Sequence, residues 1–174
     1  LGILGVLLDV SLKVLPRPAA VRTLALEVDQ AGALDRFAAL GRSALPLSAG
    51  SWVDGRLCLR FYGCDATLES VQRRVGGEAI TDADAFWTSV REQAHPFFAG
   101  ALPLWRCTVP SIAPPLPLGG GSLIEWNGLQ RWYRCEPDAP AFAAAAAAGG
   151  HATLFRHRPD GADAFAPLAP PLMR

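Results

Sequence analysis

The fold of this chain is decided by residues 102–135, LPLWRCTVPSIAPPLPLGGGSLIEWNGLQRWYRC, where one dipeptide fixes a strand pairing. Two runs of alternating apolar residues flank Asn127-Gly128 in this stretch. Asn-Gly between such runs is the strongest short-range signal for a two-residue β-hairpin turn, because both residues adopt positive φ readily. The turn then predicts three facing pairs. These are Trp126 with Leu129, Ile124 with Arg131, and Ser122 with Tyr133.

The same register places arginines on apolar surfaces of the sheet. Successive side chains of a strand point to opposite faces, so Arg131 is expected to share a face with Trp126 and Tyr133. Residues 104–109 predict a further strand, in which Arg106 alternates with apolar side chains. An arginine on an apolar face must be paired or must meet a ligand. Arg106 and Arg131 are therefore candidate site residues.

The composition predicts a globular domain that does not bind nucleic acid. The chain has 174 residues, 51% of them hydrophobic, which is enough for one domain with a core. Its formal net charge is zero, whereas a nucleic-acid-binding protein needs a basic face. No run is long enough to span a bilayer, and the opening apolar run lacks the basic start of a signal peptide.

The motifs of metal, phosphate and hydrolytic sites are missing from the sequence. Cys58, Cys64, Cys107 and Cys135 lie far apart, without zinc or iron–sulfur spacing, and predict buried free thiols in a reducing, cytoplasmic setting. We expect no metal site. No dinucleotide fingerprint, P-loop or nucleophile-elbow motif is present, so catalysis by side chains alone has no support.

Periodicity and turn residues predict an α+β chain. From Thr23 onward the predicted order is β-α-β-β-α-α-β-β-β-α-β, which favours a ferredoxin-like antiparallel sheet with helices packed mainly on one face. A strand over 8–14 comes first, and the prolines at 16 and 18 place a domain boundary after it. The remaining predicted features rest on cap residues, turn residues and apolar spacing. They are an α-helix capped by Asp29, a hairpin over 51–62 turned at Asp54-Gly55, a helix capped by Asp65, a helix beginning at Thr81 or Asp82, a helix over 140–148, a strand over 152–156, and a tail pinned by Phe165 and Leu168. No internal repeat is visible.

Several linear motifs carry a resemblance to a known family. They are LGVLLDVSLKVLPRP at 4–18, LWRCTVP at 104–110, LIEWNGLQRW at 123–132 and GGHATLF at 149–155, with the proline-rich linker between the second and third. Together they resemble the C-terminal half of the FAD-binding subunit of bacterial glycolate oxidase, an FAD-linked oxidase. The resemblance runs from Leu4 to Met173.

The resemblance implies a division of the chain and a set of partners. Residues 1–18 would end the FAD-binding lobe and form a connector, and 19–174 would form the cap or substrate domain. FAD would carry the redox chemistry in the full subunit and oxidise glycolate, a small 2-hydroxy acid, to glyoxylate. A paralogous flavin subunit and an iron–sulfur subunit would be partners, in a cytoplasmic complex whose attachment to the inner face of the membrane is left open. The chain alone is expected to be inactive and to lack FAD.

A site for glycolate needs a guanidinium for the carboxylate and a base for the hydroxyl proton. The candidates to face substrate or cofactor are Arg106, Trp126, Gln130, Arg131 and His151, and no catalytic residue is assigned.

Structural roles compete with each of these assignments. Arg131 could stack on Trp126 or Tyr133, Arg106 could pair with Glu125, and His151 could bond a carbonyl at a helix C-terminus. Substrate oxidation could also belong to the paralogous subunit. A non-catalytic α+β interaction or regulatory module is the alternative function.

Overall fold

A computed structural model describes residues 5–14, 16–136 and 140–166. Over these residues it shows one eight-stranded antiparallel sheet and four α-helices, which confirms the predicted α+β class. The strands are β1 (Ala20–Glu27), β2 (Leu47–Val53), β3 (Arg56–Gly63), β4 (Glu78–Ile80), β5 (Leu104–Thr108), β6 (Gly121–Glu125), β7 (Gln130–Arg134) and β8 (His151–Arg156). The helices are α1 (Gln30–Gly41), α2 (Asp65–Val75), α3 (Asp84–Arg91) and α4 (Ala141–Ala147), with 3-10 turns at Pro96–Phe98 and Trp126–Gly128.

The sheet consists of two ferredoxin-like units joined edge to edge. Its strand order is β4-β1-β3-β2-β6-β7-β5-β8. The first unit runs β1-α1-β2-β3-α2-β4, and the second repeats the same spatial order in reverse with β5, β6, β7, α4 and β8. Antiparallel pairing of β2 with β6 joins them, with Trp52 facing Ile124. The fold is thus duplicated, although the sequence shows no repeat. A proline-rich loop, residues 109–120, takes the place of the first helix in the second unit.

Strand β4 was missed by the sequence analysis. It is three residues long and mostly exposed, so it carries no alternating apolar pattern. It pairs with β1 through Thr23 and Ile80 and completes the first ferredoxin-like unit.

The central hairpin has the predicted register, but its tip differs. Ile124 faces Arg131 and Ser122 faces Tyr133, as expected. Asn127 and Gly128 adopt positive φ, 54° and 89°, as the turn requires. The strand pairing nevertheless stops one pair earlier, because Trp126 also has positive φ, 52°. The expectation that Trp126 shares a face with Arg131 is therefore wrong, since the left-handed backbone turns its side chain away.

Most local turn and cap signals are confirmed, with shifts of one to three residues. The Asp29 side chain accepts a hydrogen bond of 2.8 Å from the Gly32 amide at the start of α1. The turn at Asp54-Gly55 joins β2 to β3. Asp65, however, is the first residue of α2 and not its cap, and α3 begins at Asp84.

The predicted strand over 8–14 is not present. Residues 5–14 have no regular structure and expose their apolar side chains. A strand needs a hydrogen-bonded neighbour to be stable, and the described part of the chain provides none. The domain boundary at 16–18 stays a prediction. In the tail, Phe165 forms a bridge to Thr153, while Leu168 lies outside the described residues.

Three of the helices cover one face of the sheet. Helices α1 and α2 pack on the apolar side of β3, where Leu57, Leu59 and Phe61 are fully buried. Helix α4 packs on the same face of the second unit, against Trp105 and Tyr133. Helix α3 and the 3-10 turn at Pro96–Phe98 lie on the opposite face, where they leave part of the sheet uncovered. The expected packing of helices mainly on one face is confirmed.

Candidate functional site: a cleft beneath helix α3

A cleft of about 840 Å³ lies between α3 and the sheet, on the face opposite the other helices. Strands β2, β3, β6 and β7 form its floor. Its lining is mixed in character, with aromatic, amide and charged side chains. The main contributors are Arg60, Asp84, Trp87, Glu125, Trp126, Gln130 and Trp132.

Arg60 is held in one orientation on the floor of the cleft. The pairing of β2 with β3 is irregular between Leu47 and Ala49, and the residue at this bulge is Ser48. A bulge re-aims side chains locally, and here the Ser48 hydroxyl accepts a hydrogen bond of 3.2 Å from Arg60 Nε. The guanidinium carbon lies 5.3 Å from the centre of the Trp87 ring, a cation–π contact.

Trp87 is itself anchored, so the contact with Arg60 is well defined. Its indole Nε1 donates a hydrogen bond of 2.9 Å to the Thr23 hydroxyl. Thr23 faces Arg60 across the pairing of β1 with β3. Helix α3 is thus fastened to the sheet at the place where it covers the arginine.

Glu125 organises the other side of the cleft floor. Its Oε1 accepts hydrogen bonds from Gln130 Nε2 at 2.6 Å and from Trp132 Nε1 at 2.7 Å. The carboxylate therefore fixes an amide and an indole side by side. Gln130, a predicted candidate, lies in the cleft through this contact.

Trp126, another predicted candidate, also lines the cleft. Its side chain is 69% exposed, and both it and Asn127 have positive φ. A bulky residue with positive φ is uncommon and carries a cost of about 1–3 kcal/mol. The strained backbone directs the indole to the edge of the cleft.

Arg106 lies beside the cleft and not in it. It faces Trp132 across the pairing of β5 with β7, and its guanidinium carbon lies 5.4 Å from the centre of the Phe155 ring. It forms no ion pair with Glu125, and strand β7 lies between β5, which carries Arg106, and β6, which carries Glu125.

Arg131 does not line the cleft. Its side chain is fully buried on the opposite face, where it donates to the backbone carbonyls of Gly128 at 3.0 Å, and of Pro114 and Ala113 at 2.5 Å each. Burial lowers the pKa of the guanidinium. These contacts fasten the proline-rich loop to the sheet, a role that neither the site hypothesis nor the stacking alternative included.

A second buried arginine went unnoticed in the sequence. Arg134 donates to the carbonyls of Phe97 at 2.7 Å, Leu102 at 2.8 Å, Gly100 at 3.0 Å, and also to Phe98. Burial lowers its pKa as well. It fastens the loop that follows α3 to β7.

His151 stands apart from the cleft. It is exposed at the start of β8, the edge strand, and faces Thr108 of β5. Two strands of the sheet order, β7 and β5, separate it from β6. Of the five candidates, the structure brings Trp126 and Gln130 together, places Arg106 nearby, and leaves Arg131 and His151 elsewhere.

Comparison with known proteins gives one clear similarity. Glycolate oxidase subunit GlcE of Escherichia coli (strain K12) is 39% identical over 174 residues, which is 99% of this chain and 48% of GlcE. This chain is similar to a glycolate oxidase subunit. The similarity confirms the predicted resemblance, and the chain spans about half the length of the curated relative it matches. No protein-family profile and no solved structure matches the chain.

Two cleft residues were missed by the sequence analysis. Neither Arg60, which belongs to the predicted hairpin over 51–62, nor Trp87 was singled out as a candidate. A signal existed for Arg60, because the other face of its strand is wholly apolar. No local signal connects it to Trp87, since α3 follows more than 20 residues later. No helix within the described ranges is long and apolar enough to cross a membrane.

Proposed function

We propose that this chain is part of a glycolate oxidase subunit and that its cleft faces the reacting centre of the complex. The observation that carries the proposal is the 39% identity to GlcE along almost the whole chain. The cleft supports it, because an amide, a guanidinium and aromatic rings converge between α3 and one face of the sheet. Such a mixture of apolar walls and a few oriented polar groups is usual for small-molecule sites.

The cleft residues fit one wall of a flavin site. Gln130 and Arg60 offer donors to an anionic or carbonyl-bearing group, and Trp87 and Trp126 offer apolar surface. Along the described ranges, no glycine-rich loop leads from a strand into a helix, so this chain supplies no phosphate cradle. FAD in the full subunit would accept the hydride of a 2-hydroxy acid. This chain's own part is to orient the acid and to keep water out beneath α3.

The complex would contain further subunits. A paralogous flavin subunit and an iron–sulfur subunit are the proposed partners, and the whole assembly would act in the cytoplasm or at the inner face of the membrane. The cleft could lie beside the flavin that oxidises the substrate or beside one that transfers electrons. The kinetics of cleft variants distinguish these two positions.

Gln130→Ala in the full-length subunit, assembled with its partners, tests the role of the cleft. We expect glycolate-dependent dye reduction to fall roughly tenfold or more, because small losses of orientation near reacting groups are costly. Gln72→Ala is the matched control. Gln72 makes one side-chain hydrogen bond, with Arg22, and lies on α2 on the other face of the sheet. Normal turnover of the folded Gln130 variant would favour a non-catalytic interaction or regulatory module.

FAD binding by the 174-residue chain gives a second test. We expect no tight binding, because the cofactor's phosphates find no cradle here. Calorimetric titration is the measurement. A dissociation constant in the micromolar range or tighter would contradict the proposal that the rest of the full-length subunit binds the phosphates of FAD.

A further inference from the structure

Arg60 has the geometry of an anion receptor. Among the described residues, its guanidinium makes one hydrogen bond, from Nε to the Ser48 hydroxyl. Its terminal nitrogens make no hydrogen bond to a described residue, and no described carboxylate lies within 4 Å of them. The free end of a guanidinium presents two parallel N–H donors, which match the two oxygens of a carboxylate.

The neighbouring residues hold the Arg60 side chain in a preorganised orientation. The Ser48 hydroxyl accepts from Nε and donates to the Arg60 carbonyl at 3.0 Å, so it locks the side chain to its own strand. The Trp87 ring covers one side of the guanidinium and is fixed by Thr23. An arginine held in this way loses less freedom on binding than a solvated one, which favours affinity.

The charges around the cleft limit the ligand to a single negative charge. Besides Arg60, the lining carries Arg91, which is paired with Glu92 at 2.8 Å. It also carries two carboxylates, Asp84 and Glu125. Both carboxylates would repel a second negative charge on a ligand held in the cleft, since like charges repel.

We infer that Arg60, oriented by Ser48 and Trp87, is the binding site for a small monocarboxylate in the cleft. The site discriminates against dicarboxylates and against the phosphate dianion. The inference rests on the proposed function only for the identity of the natural acid, a 2-hydroxy monocarboxylate. The receptor itself follows from the geometry of this chain.

The test is a titration of the 174-residue chain with glycolate, acetate, malonate and phosphate at constant ionic strength, at a pH where malonate and phosphate are mainly dianions. Nuclear magnetic resonance follows the Arg60 Nε–H and the Trp87 indole N–H. We expect saturable shifts of both signals with glycolate and acetate, and several-fold weaker binding of malonate and phosphate. Unchanged Arg60 and Trp87 signals, or tighter binding of malonate or phosphate, would overturn the inference.

Substitutions of Arg60 test whether this residue binds the carboxylate. Arg60→Gln is expected to weaken glycolate binding roughly tenfold or more, since a charge-assisted pair of hydrogen bonds is lost. Arg60→Lys should restore part of the affinity, because it keeps the charge without the fork. Arg73→Gln, an exposed arginine on α2, is the control and should bind normally. Equal binding by Arg60→Gln and the unaltered chain would refute the assignment.

Kinetics of the full complex separate this inference from the proposed function. If Arg60→Gln weakens binding to the chain and raises KM for glycolate, both the inference and the proposed function hold. If it weakens binding but leaves KM and kcat for glycolate unchanged, the assignment of Arg60 as the binding site stands and the proposed catalytic role of the cleft is wrong.

Discussion

Arg131 illustrates how one side chain can organise a loop. Its guanidinium is buried, pairs with no carboxylate among the described residues, and is stabilised by the dipoles of three carbonyls. Each carbonyl would lose its partner if the side chain were removed, at about 1–3 kcal/mol for each unsatisfied buried group. Arg131→Ala should therefore destabilise the chain by about 3 kcal/mol or more, measured by urea unfolding.

Two further variants identify the cause of that loss. Arg131→Lys keeps the charge but cannot reach three acceptors in one plane, so an intermediate loss is expected. Arg74→Ala removes an exposed arginine of α2 and should change the stability by less than about 0.5 kcal/mol. A small effect of Arg131→Ala, like that of Arg74→Ala, would mean that the loop does not depend on the arginine.

The four free thiols differ in reactivity because their surroundings differ. Cys64 is exposed, and its hydrogen bond of 3.2 Å with the Thr67 hydroxyl lowers its pKa. Burial raises the pKa of Cys58 to about 11 and that of Cys107 to about 12, and it also raises that of Cys135. Since the thiolate is the nucleophile, iodoacetamide at pH 8 should label Cys64 first. Peptide mass mapping against time checks this, and faster labelling of a buried thiol would contradict it.

At the scale of elements, the entry into β6 depends on the absence of a side chain. Gly120 has φ of 84°, and a Cβ there would lie 1.9 Å from the Arg134 carbonyl oxygen. Gly120→Ala should cost about 2 kcal/mol or more, because the backbone must shift as well as adopt an unfavourable φ. The neighbouring Gly119→Ala is the control, since open space surrounds that position. Thermal melting of both variants provides the comparison, and equal melting temperatures would disprove the close approach.

Elements with local signals were predictable and those that depend on partners were not. The turns at Asp54-Gly55 and Asn127-Gly128 follow from residues that accept positive φ, and the Asp29 cap from a side chain that accepts an amide proton. Strand β4 is three residues long and gains its pairing only from β1. The run over 8–14 shows the reverse case, because it has the pattern of a strand but no partner in the described chain.

At the scale of the whole molecule, residues 5–14 form an uncovered apolar strip. Leu8 is 93% exposed and Leu12 79%. Exposed alternating apolar segments tend to find other chains, so the 174-residue chain should associate as its concentration rises. Light scattering is the measurement. Leu8→Lys with Leu12→Lys should reduce the association, whereas Asp9→Lys with Ser11→Lys should reduce it less. A strict monomer at high concentration would count against the prediction.

The sequence by itself determined the class of the fold, most of its helices and strands, the register of both hairpins and the resemblance to a glycolate oxidase subunit. These rest on local chemistry or on linear motifs. Turn residues, caps and alternation act over a few positions, and motifs are read without any knowledge of the fold.

Only the tertiary structure decided the joining of β2 to β6, the duplication of the ferredoxin-like unit and the position of the cleft. Each of these depends on contacts between residues far apart in the chain. Three different elements contribute Ser48, Arg60 and Trp87. The pairing of β2 with β3 and the packing of α3 on the sheet bring them together. Arg131 and Arg60 have the same side chain, and the sequence favoured Arg131 for the site. The carbonyls of the proline-rich loop satisfy Arg131, whereas the terminal nitrogens of Arg60 have no hydrogen-bond partner in the described part of the chain. That difference exists only in the folded chain.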